Sequence, residues 1–398
     1  MRDTALLEYA KRNHHKILRS ASGFLHHPFI VPGSVYADQL WDWDCWLTNV
    51  ALRQFVTEDI RRHEIGCVLN FLEHVAEDGR IPIMMTPTGT PVTSVGGNFH
   101  KPCLAQHAAF ITAQNGGDAE WLRLYFDRLL RFVMHYMTHC RHENGLYFWL
   151  DDMAIGVDND PCTFFRPVKS SASIYLNCMM YKELEAVCYL GERLGVDTLR
   201  FAEERDHLRG ALHALCYDEK DGMYYSADLN LLPIQNRHTG APRHWDSLIQ
   251  RIGCWSGFLA MWSGVATPEQ AERMVRENLL DENAFWSPNG VRSLSKYEKM
   301  YTIKPSGNPS CWLGPVWGCV NYLVFRGLVN YGFEEEAEQL ATRTVDLFER
   351  DLQTTGELHE YYDPETGAPI FNAGFQNWNL LAVNLQAWLD GDRMVTEF

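Results

Sequence analysis

The sequence predicts an all-α protein, an (α/α)6 toroid in which six inner helices are ringed by six outer ones. Three observations carry this prediction. About twelve stretches repeat apolar residues three or four positions apart, the period of a helix with a buried face. The links between them alternate between a few residues and roughly 20 to 35, and links of the longer kind inside a compact domain usually carry function. Odd-numbered stretches pair one apolar stripe with a charged face, whereas even-numbered ones carry few charges on any face. A helix of the first kind has water on one side, and one of the second kind is buried all round. Two concentric rings satisfy all three observations and bring six long loops to one end of the molecule, with small β-hairpins among them, where they build one cleft.

The elements follow in order. The first helix is expected over 3–19, and a long loop leads to the second, 42–55, which opens in Trp41-Asp42-Trp43-Asp44-Cys45-Trp46. The third, 58–77, leads through a second long loop to the fourth, 102–115, which ends at the turn signal Gly116-Gly117. In the fifth, 118–139, Leu122, Tyr125, Leu129, Phe132 and Tyr136 form the stripe of an outer helix. The sixth, 169–194, is closed by Gly195 before the seventh, 197–216. The eighth, 250–262, contains a charge-free run from Cys254 to Trp262. The ninth, 267–280, opens with Thr267-Pro268-Glu269-Gln270, an N-cap, a proline at the first helical position and the Gln of a capping box. The tenth, 315–331, is closed by Gly332, and the eleventh, 333–350, has its stripe at Ala337, Leu340, Val345 and Phe348. The twelfth, 376–389, is uncharged from Trp378 to Val383. Two strand-like runs, Leu146 to Leu150 and Met223 to Ser226, lie in long loops and are expected to form hairpins.

No linker, low-complexity stretch or charge block divides the 398 residues, so 1–398 reads as one domain. With 46% hydrophobic and 22% charged residues, the chain can bury a large core and is not disordered. A formal net charge of -16 argues against nucleic acid as a partner, since phosphate binding needs a basic footprint. No run reaches membrane-spanning length, and the amphipathic start with Lys11, Arg12 and Lys16 lacks the apolar core of a signal peptide. Eleven cysteines scattered without C-x-x-C pairs are expected to be reduced, buried thiols, which points to the cytoplasm. Self-association into a homo-oligomer is compatible with this composition.

Most residues able to do chemistry fall in the long loops. Trp41-Asp42-Trp43-Asp44 interleaves carboxylates with indoles, which suits a sugar: flat apolar faces for C–H surfaces and acceptors for hydroxyls. Read alone, it also fits an N-capping Asp beside core tryptophans. Gly156-Val157-Asp158-Asn159-Asp160-Pro161 is a turn by composition. Glu360, between His359 and Tyr361-Tyr362 and just before the Asp363 to Gly367 turn, is an unusual place for a solvated carboxylate. Two carboxyls from distant loops meeting over one cleft are what glycoside hydrolysis needs.

In this order, Trp41-Asp42-Trp43-Asp44, the Gly-x-Asp-Asn-x-Pro at 156–161, Trp312-Leu313-Gly314-Pro315-Val316-Trp317 and the segment from His359 to Gly367 resemble the trehalase-like (α/α)6 glycosidases. Within that group the chain is most similar to glycoside hydrolase family 63 and its mannosylglycerate or glucosylglycerate hydrolase branch, from about Gly23 to Trp388. The resemblance implies an inverting α-glycosidase acting on a small glucoside or mannoside, with Asp158 as general acid and Glu360 as general base. It implies sugar contacts from Trp41, Asp42, Trp43, Asp44, Asn177, Trp312, Trp317 and Trp378. Neither a metal nor an organic cofactor is implied, and a small sugar is the expected partner. For Asp158 to act as an acid near neutral pH it must stay protonated, through burial or a neighbour such as Asp160 or Asp152.

The chain departs from the family pattern at three positions. Leu313 stands where an Arg is frequent, Cys162 where a basic residue often follows the Asp-Asn-x-Pro motif, and Tyr175 where an Asp often precedes the Leu-Asn pair. Arg166, Lys169, Lys101, Arg292 and Lys304, in or beside long loops, are the cations available to an anionic aglycone, or else rim charges. His135, His139 and His142 sit at a helix C-terminus, where the dipole favours them, and lack zinc-type spacing. Thr93 to Asn98 reads as a rim loop, since it lacks the strand, helix and lysine of a phosphate cradle. A rival from another class, a sugar epimerase or isomerase on the same toroid, would use His359, His100, His107 or His244 as acid and base. A non-catalytic sugar-binding protein is the third reading.

Overall fold

The computed structural model describes residues 1–90, 97–231, 238–305 and 309–398. Among these, twelve α-helices run α1 Ala5–Asn13, α2 Asp42–Phe55, α3 Arg61–Glu73, α4 Leu104–Gln114, α5 Phe126–His139, α6 Ile174–Leu194, α7 Leu199–Leu215, α8 Leu259–Trp262, α9 Pro268–Arg273, α10 Gly318–Asn330, α11 Glu334–Thr355 and α12 Ala382–Leu389. The even-numbered helices contact one another in a closed ring, α2 to α4, α6, α8, α10, α12 and back to α2. The odd-numbered ones pack outside, as α7 does on α6 and α11 on α10 and α12. Composition sets this sorting. In α4 every residue from Leu104 to Thr112 is buried, whereas α5 buries only Phe126, Leu129, Phe132, Val133, His135 and Tyr136 along one stripe.

Burying α4 leaves its first backbone N–H groups in need of acceptors. Glu183 of α6 supplies them: its carboxylate, fully buried, accepts from Ala105 N at 2.8 Å and Gln106 N at 3.1 Å. The capping box expected at the start of α9 forms, with Thr267 and Gln270 bonded reciprocally.

The long loops differ in part from the expected pattern. Five of the six line a common cavity, while the described part of the fourth, between α7 and α8, does not reach it. The Met223 to Ser226 run does enter strands, Tyr217–Asp218 pairing with Met223–Tyr224. The Leu146 to Leu150 run forms no strand; one bridge links Tyr147 to Arg141, and the Asn177 side chain satisfies the Tyr147 backbone instead. A three-stranded sheet, Val316–Trp317, Tyr361–Tyr362 and Pro369–Phe371, ties the fifth loop to the sixth. It pairs Trp317 with Tyr361, the residue after Glu360. Residues 93–96 of the expected rim loop lie outside the described residues; Gly97 and Asn98 donate to Asp151. No helix among the described residues is long and apolar enough to cross a membrane. All eleven cysteines are free, and all but Cys188 are buried.

Candidate active site

A cavity of about 280 Å³ opens at the loop end of the ring, walled by Tyr36, Trp41, Trp43, Asp44, Lys101, Asp158, Trp312, Trp317, Glu360, Phe375 and Trp378. The aromatic wall is continuous. Trp312 and Trp317 stack with centroids 3.9 Å apart and planes 6° from parallel, and Trp317 stacks on Tyr361 at 4.8 Å. Trp43 lies 5.1 Å from Trp378 and 6.2 Å from Trp312. The Trp312 backbone is fixed by Asn159, whose side-chain oxygen accepts its N–H at 2.7 Å. The Asp-Asn motif therefore holds the third loop to the fifth and places Asp158 on the cavity wall. Trp378 Nε1 is buried with no hydrogen-bond partner among the described residues.

Of the ten residues expected in the site, eight line the cavity: Asp158, Glu360, Trp41, Trp43, Asp44, Trp312, Trp317 and Trp378. Asp42 and Asn177 do not. Asp42 lies behind the wall in a buried ion pair with Lys101 Nζ at 2.5 Å, its other oxygen accepting Lys101 N at 2.9 Å. Burial opposes its charge, but Lys101 and His100 overcome that and hold the carboxyl below its ordinary range. Asn177 is spent on the backbone of Tyr147 and Ser173, at 2.8 Å each. The side chain cannot reach the cavity from there.

Three carboxyls face this space. Glu360, 5% exposed, receives a hydrogen bond from Asn372 Nδ2 at 2.8 Å, and the Tyr36 hydroxyl favours its charged form. Burial pushes it up to about 8, the charges of Asp44 and Asp158 add to this, and Asn372 and Tyr36 oppose it. Asp44 is raised to about 7, by burial first and by Asp42, against Lys101 and the Asn377 amide. Tyr36 is raised as well, by burial and then by the same three carboxyls. The neighbours expected to act on Asp158 are engaged elsewhere: Asp160 accepts from Cys162 N at 3.0 Å, and Asp152 from Phe165 N at 2.9 Å. Among the described residues, Asp160, Cys162 and Cys254 are the one group with ligand atoms close enough for a metal, within 4.8 Å of one another.

Sequence reasoning missed Tyr36, Asn372 and Asn377. Both amides sit in left-handed backbone, φ 59° and 31°, which Asn tolerates better than most residues. The Asn372-Ala373-Gly374 turn composition was a signal for the first; Tyr36 had none. Gly156 is required twice over: its φ is 83°, and a Cβ there would come within 3.2 Å of Lys101 and 3.3 Å of Trp43.

The histidines of the isomerase reading lie off the cavity wall. His100 and His107 are fully buried and pushed down by burial to about 4 and about 3. His359 bonds Asp351 at 2.9 Å, and His244 is exposed.

The mannosylglycerate hydrolase MGH1-like glycoside hydrolase domain model matches residues 37–379. A probable mannosyl-oligosaccharide glucosidase of Schizosaccharomyces pombe is 33% identical over 310 residues, 72% of this chain and 34% of that protein. A mannosylglycerate hydrolase of Thermus thermophilus is 30% identical over 163 residues, 38% of this chain and 34% of that protein. The chain thus spans about a third of the length of these curated relatives. The crystal structure of a GH63 mannosylglycerate hydrolase from Thermus thermophilus in complex with glucose superposes with a TM-score of 0.71 at 20% identity, covering 95% of this chain and 98% of the other, and shares its fold. With its toroid, its tryptophan-walled cavity and a family match running from the first long loop into the last, the chain belongs to the mannosylglycerate hydrolase MGH1-like glycoside hydrolase domain family.

Proposed function

We propose that the chain is an inverting α-glycosidase that releases glucose or mannose from a short α-glycoside, a glycosylglycerate or a disaccharide. The observation that carries this reading is that Asp158 and Glu360, 202 residues apart in the chain, line one aromatic cavity closely enough for the Asp158 charge to raise Glu360. Trp43, Trp312, Trp317 and Trp378 offer flat faces to the sugar, and Asp44 offers an acceptor for hydroxyls.

In the proposed step Glu360 takes a proton from a water that attacks the anomeric carbon, while Asp158 gives its proton to the departing glycosidic oxygen. Coupled carboxyls of this kind share protons as a group. The reactive arrangement has the charge on Glu360, where the Asn372 amide supports it, and the proton on Asp158. Neither a metal nor a cofactor takes part in this step. The free thiols fit a reducing compartment, and we place the protein in the cytoplasm as one catalytic unit.

The test is a screen of trehalose, kojibiose, nigerose, isomaltose, glucosylglycerate and mannosylglycerate with sugar release as readout. At least one should be cleaved, and Asp158→Asn should lower its turnover ~100-fold or more with helical circular dichroism intact. Conversion of free glucose or mannose to another hexose, without glycoside cleavage, would instead support an isomerase.

A further inference from the structure

Two segments far apart in the chain meet behind Glu360. The turn Ser34–Tyr36 in the first long loop is tied to the last loop: Gly33 bridges Phe375, and Pro32 O accepts from Gln376 N at 3.2 Å and from Asn377 N at 3.1 Å. This join brings the Ser34 hydroxyl to 2.6 Å from Asn372 Oδ1, while Asn372 Nδ2 donates to Glu360 Oε2 at 2.8 Å. Ser34, Asn372 and Glu360 thus form one hydrogen-bonded chain. Neither Ser34 nor Asn372 lines the cavity, so their effect on a reaction there is indirect. Both hold left-handed backbone, φ 51° and 59°, where glycine would sit more easily than serine. Strain of that kind persists where the surroundings over-determine it, and it clusters at functional sites.

The chemistry of the amide gives this chain a direction. An asparagine side chain has one donor end and one acceptor end. An ionised carboxyl needs the donor end, which leaves Oδ1 turned from Glu360 and in need of a proton. Ser34 supplies it. The hydroxyl has a second acceptor, Ala373 O at 2.7 Å, and its single proton serves one of the two at a time. Charge on Glu360 polarises the Asn372 amide and makes Oδ1 the better acceptor, so the bond from Ser34 strengthens when the carboxyl ionises. Accepting the hydrolase reading above, in which Glu360 is the base, we propose that Ser34 is a positioning residue for it. Its hydroxyl holds the Asn372 amide with Nδ2 on the carboxylate and favours the ionised form that activates water.

The experiment follows the titration of Glu360 by carbon NMR of its side-chain carboxyl, assigned by its absence in Glu360→Gln, together with the acidic limb of kcat/KM on whichever glycoside is cleaved. Ser34→Gly removes the hydroxyl and places at φ 51° a residue suited to it. It should move both readouts to higher pH by ~0.5–1 unit, and so lower kcat/KM on the acidic side of the limb by ~3–10-fold. Asn372→Gly should move them at least as far, and Ser34→Gly added to it should do no more, since the hydroxyl acts through the amide. Val35→Gly, at the exposed neighbour, loosens the same turn with the hydroxyl in place and should leave both unchanged. The groups that act on Glu360 from other positions, Asp44, Asp158 and Tyr36, are kept in every one of these variants, as are Cys319 and Tyr361, which feel its charge. No shift in Ser34→Gly or in Asn372→Gly, an equal shift in Val35→Gly, or a further shift in the double variant would overturn the inference and leave the hydrolase reading standing. Absence of cleavage for every glycoside would sink the hydrolase reading, and the NMR titration would then decide by itself whether Ser34 acts on Glu360.

Discussion

Glu360→Gln should make the folded protein more stable and inactive at once, with a gain that depends on pH. Folding raises Glu360 from 4.5 to about 8, chiefly by burial and then by the charges of Asp44 and Asp158. Between those values the unfolded chain is ionised at this position while the folded one holds a proton, so stability is lost as pH rises through the window. At ~1.4 kcal/mol per pH unit the full effect is ~5 kcal/mol, and water in the adjoining cavity reduces it to ~2–4 kcal/mol. Glutamine is neutral throughout and keeps the acceptor for Asn372, so it escapes this loss. The variant should match the parent protein near pH 4.5 and exceed it by ~2–4 kcal/mol above pH 8, in urea denaturation followed by circular dichroism. Its turnover should fall ~100-fold or more. A stability difference constant between pH 5 and 8.5, or a variant weaker at both, would refute the view that this carboxyl is held against its own charge.

Four further outcomes follow from the same geometry. Lys101→Met should destabilise the protein by ~3–5 kcal/mol, because it leaves the Asp42 charge buried without its partner; thermal unfolding at pH 7 reads this, and a loss below ~1 kcal/mol would contradict it. The acidic limb of kcat/KM should lie near pH 8, since the base must lose its proton and activity therefore rises with pH through that value. Asp44→Asn should move the limb to lower pH, whatever it does to the amplitude. A disaccharide should be cleaved with much higher kcat/KM than starch or dextran, because the cavity of about 280 Å³ is closed around by five loops.

The ring was legible in the sequence because its two signals are local: the helical period and the alternation of link lengths. Helix ends were less so. The stretch expected as 169–194 begins at Ile174, since Ser171–Ala172 pairs with Ala227 and Asp228 as a strand. The eighth, expected from 250, starts only at the 3-10 turn Trp255–Phe258, and Leu248–Gln250 is a strand. Strand pairing across loops is set by distant partners and leaves little local trace. At the site, the tryptophans and carboxyls stood out by type, and eight of ten reached the cavity. Asp42 and Asn177 have the same chemistry but are claimed by Lys101 and by the Tyr147 backbone, contacts 59 and 30 residues away in sequence. Lys101 itself looked like a rim charge, and only its burial beneath Gly156 turns it into the counter-charge of the wall.

The most direct test of single-displacement hydrolysis by Asp158 and Glu360 is the anomer formed first. An inverting pair leaves room for water between the base and the anomeric carbon, with carboxyls about 6.5 to 9.5 Å apart, against about 5 to 5.5 Å in a retaining pair. Proton NMR of the anomeric region in the first minutes of α-glycoside hydrolysis should show the β-anomer of the released sugar, before mutarotation mixes the two. Initial appearance of the α-anomer would contradict the account, since it requires a covalent intermediate on Glu360 or on another nucleophile.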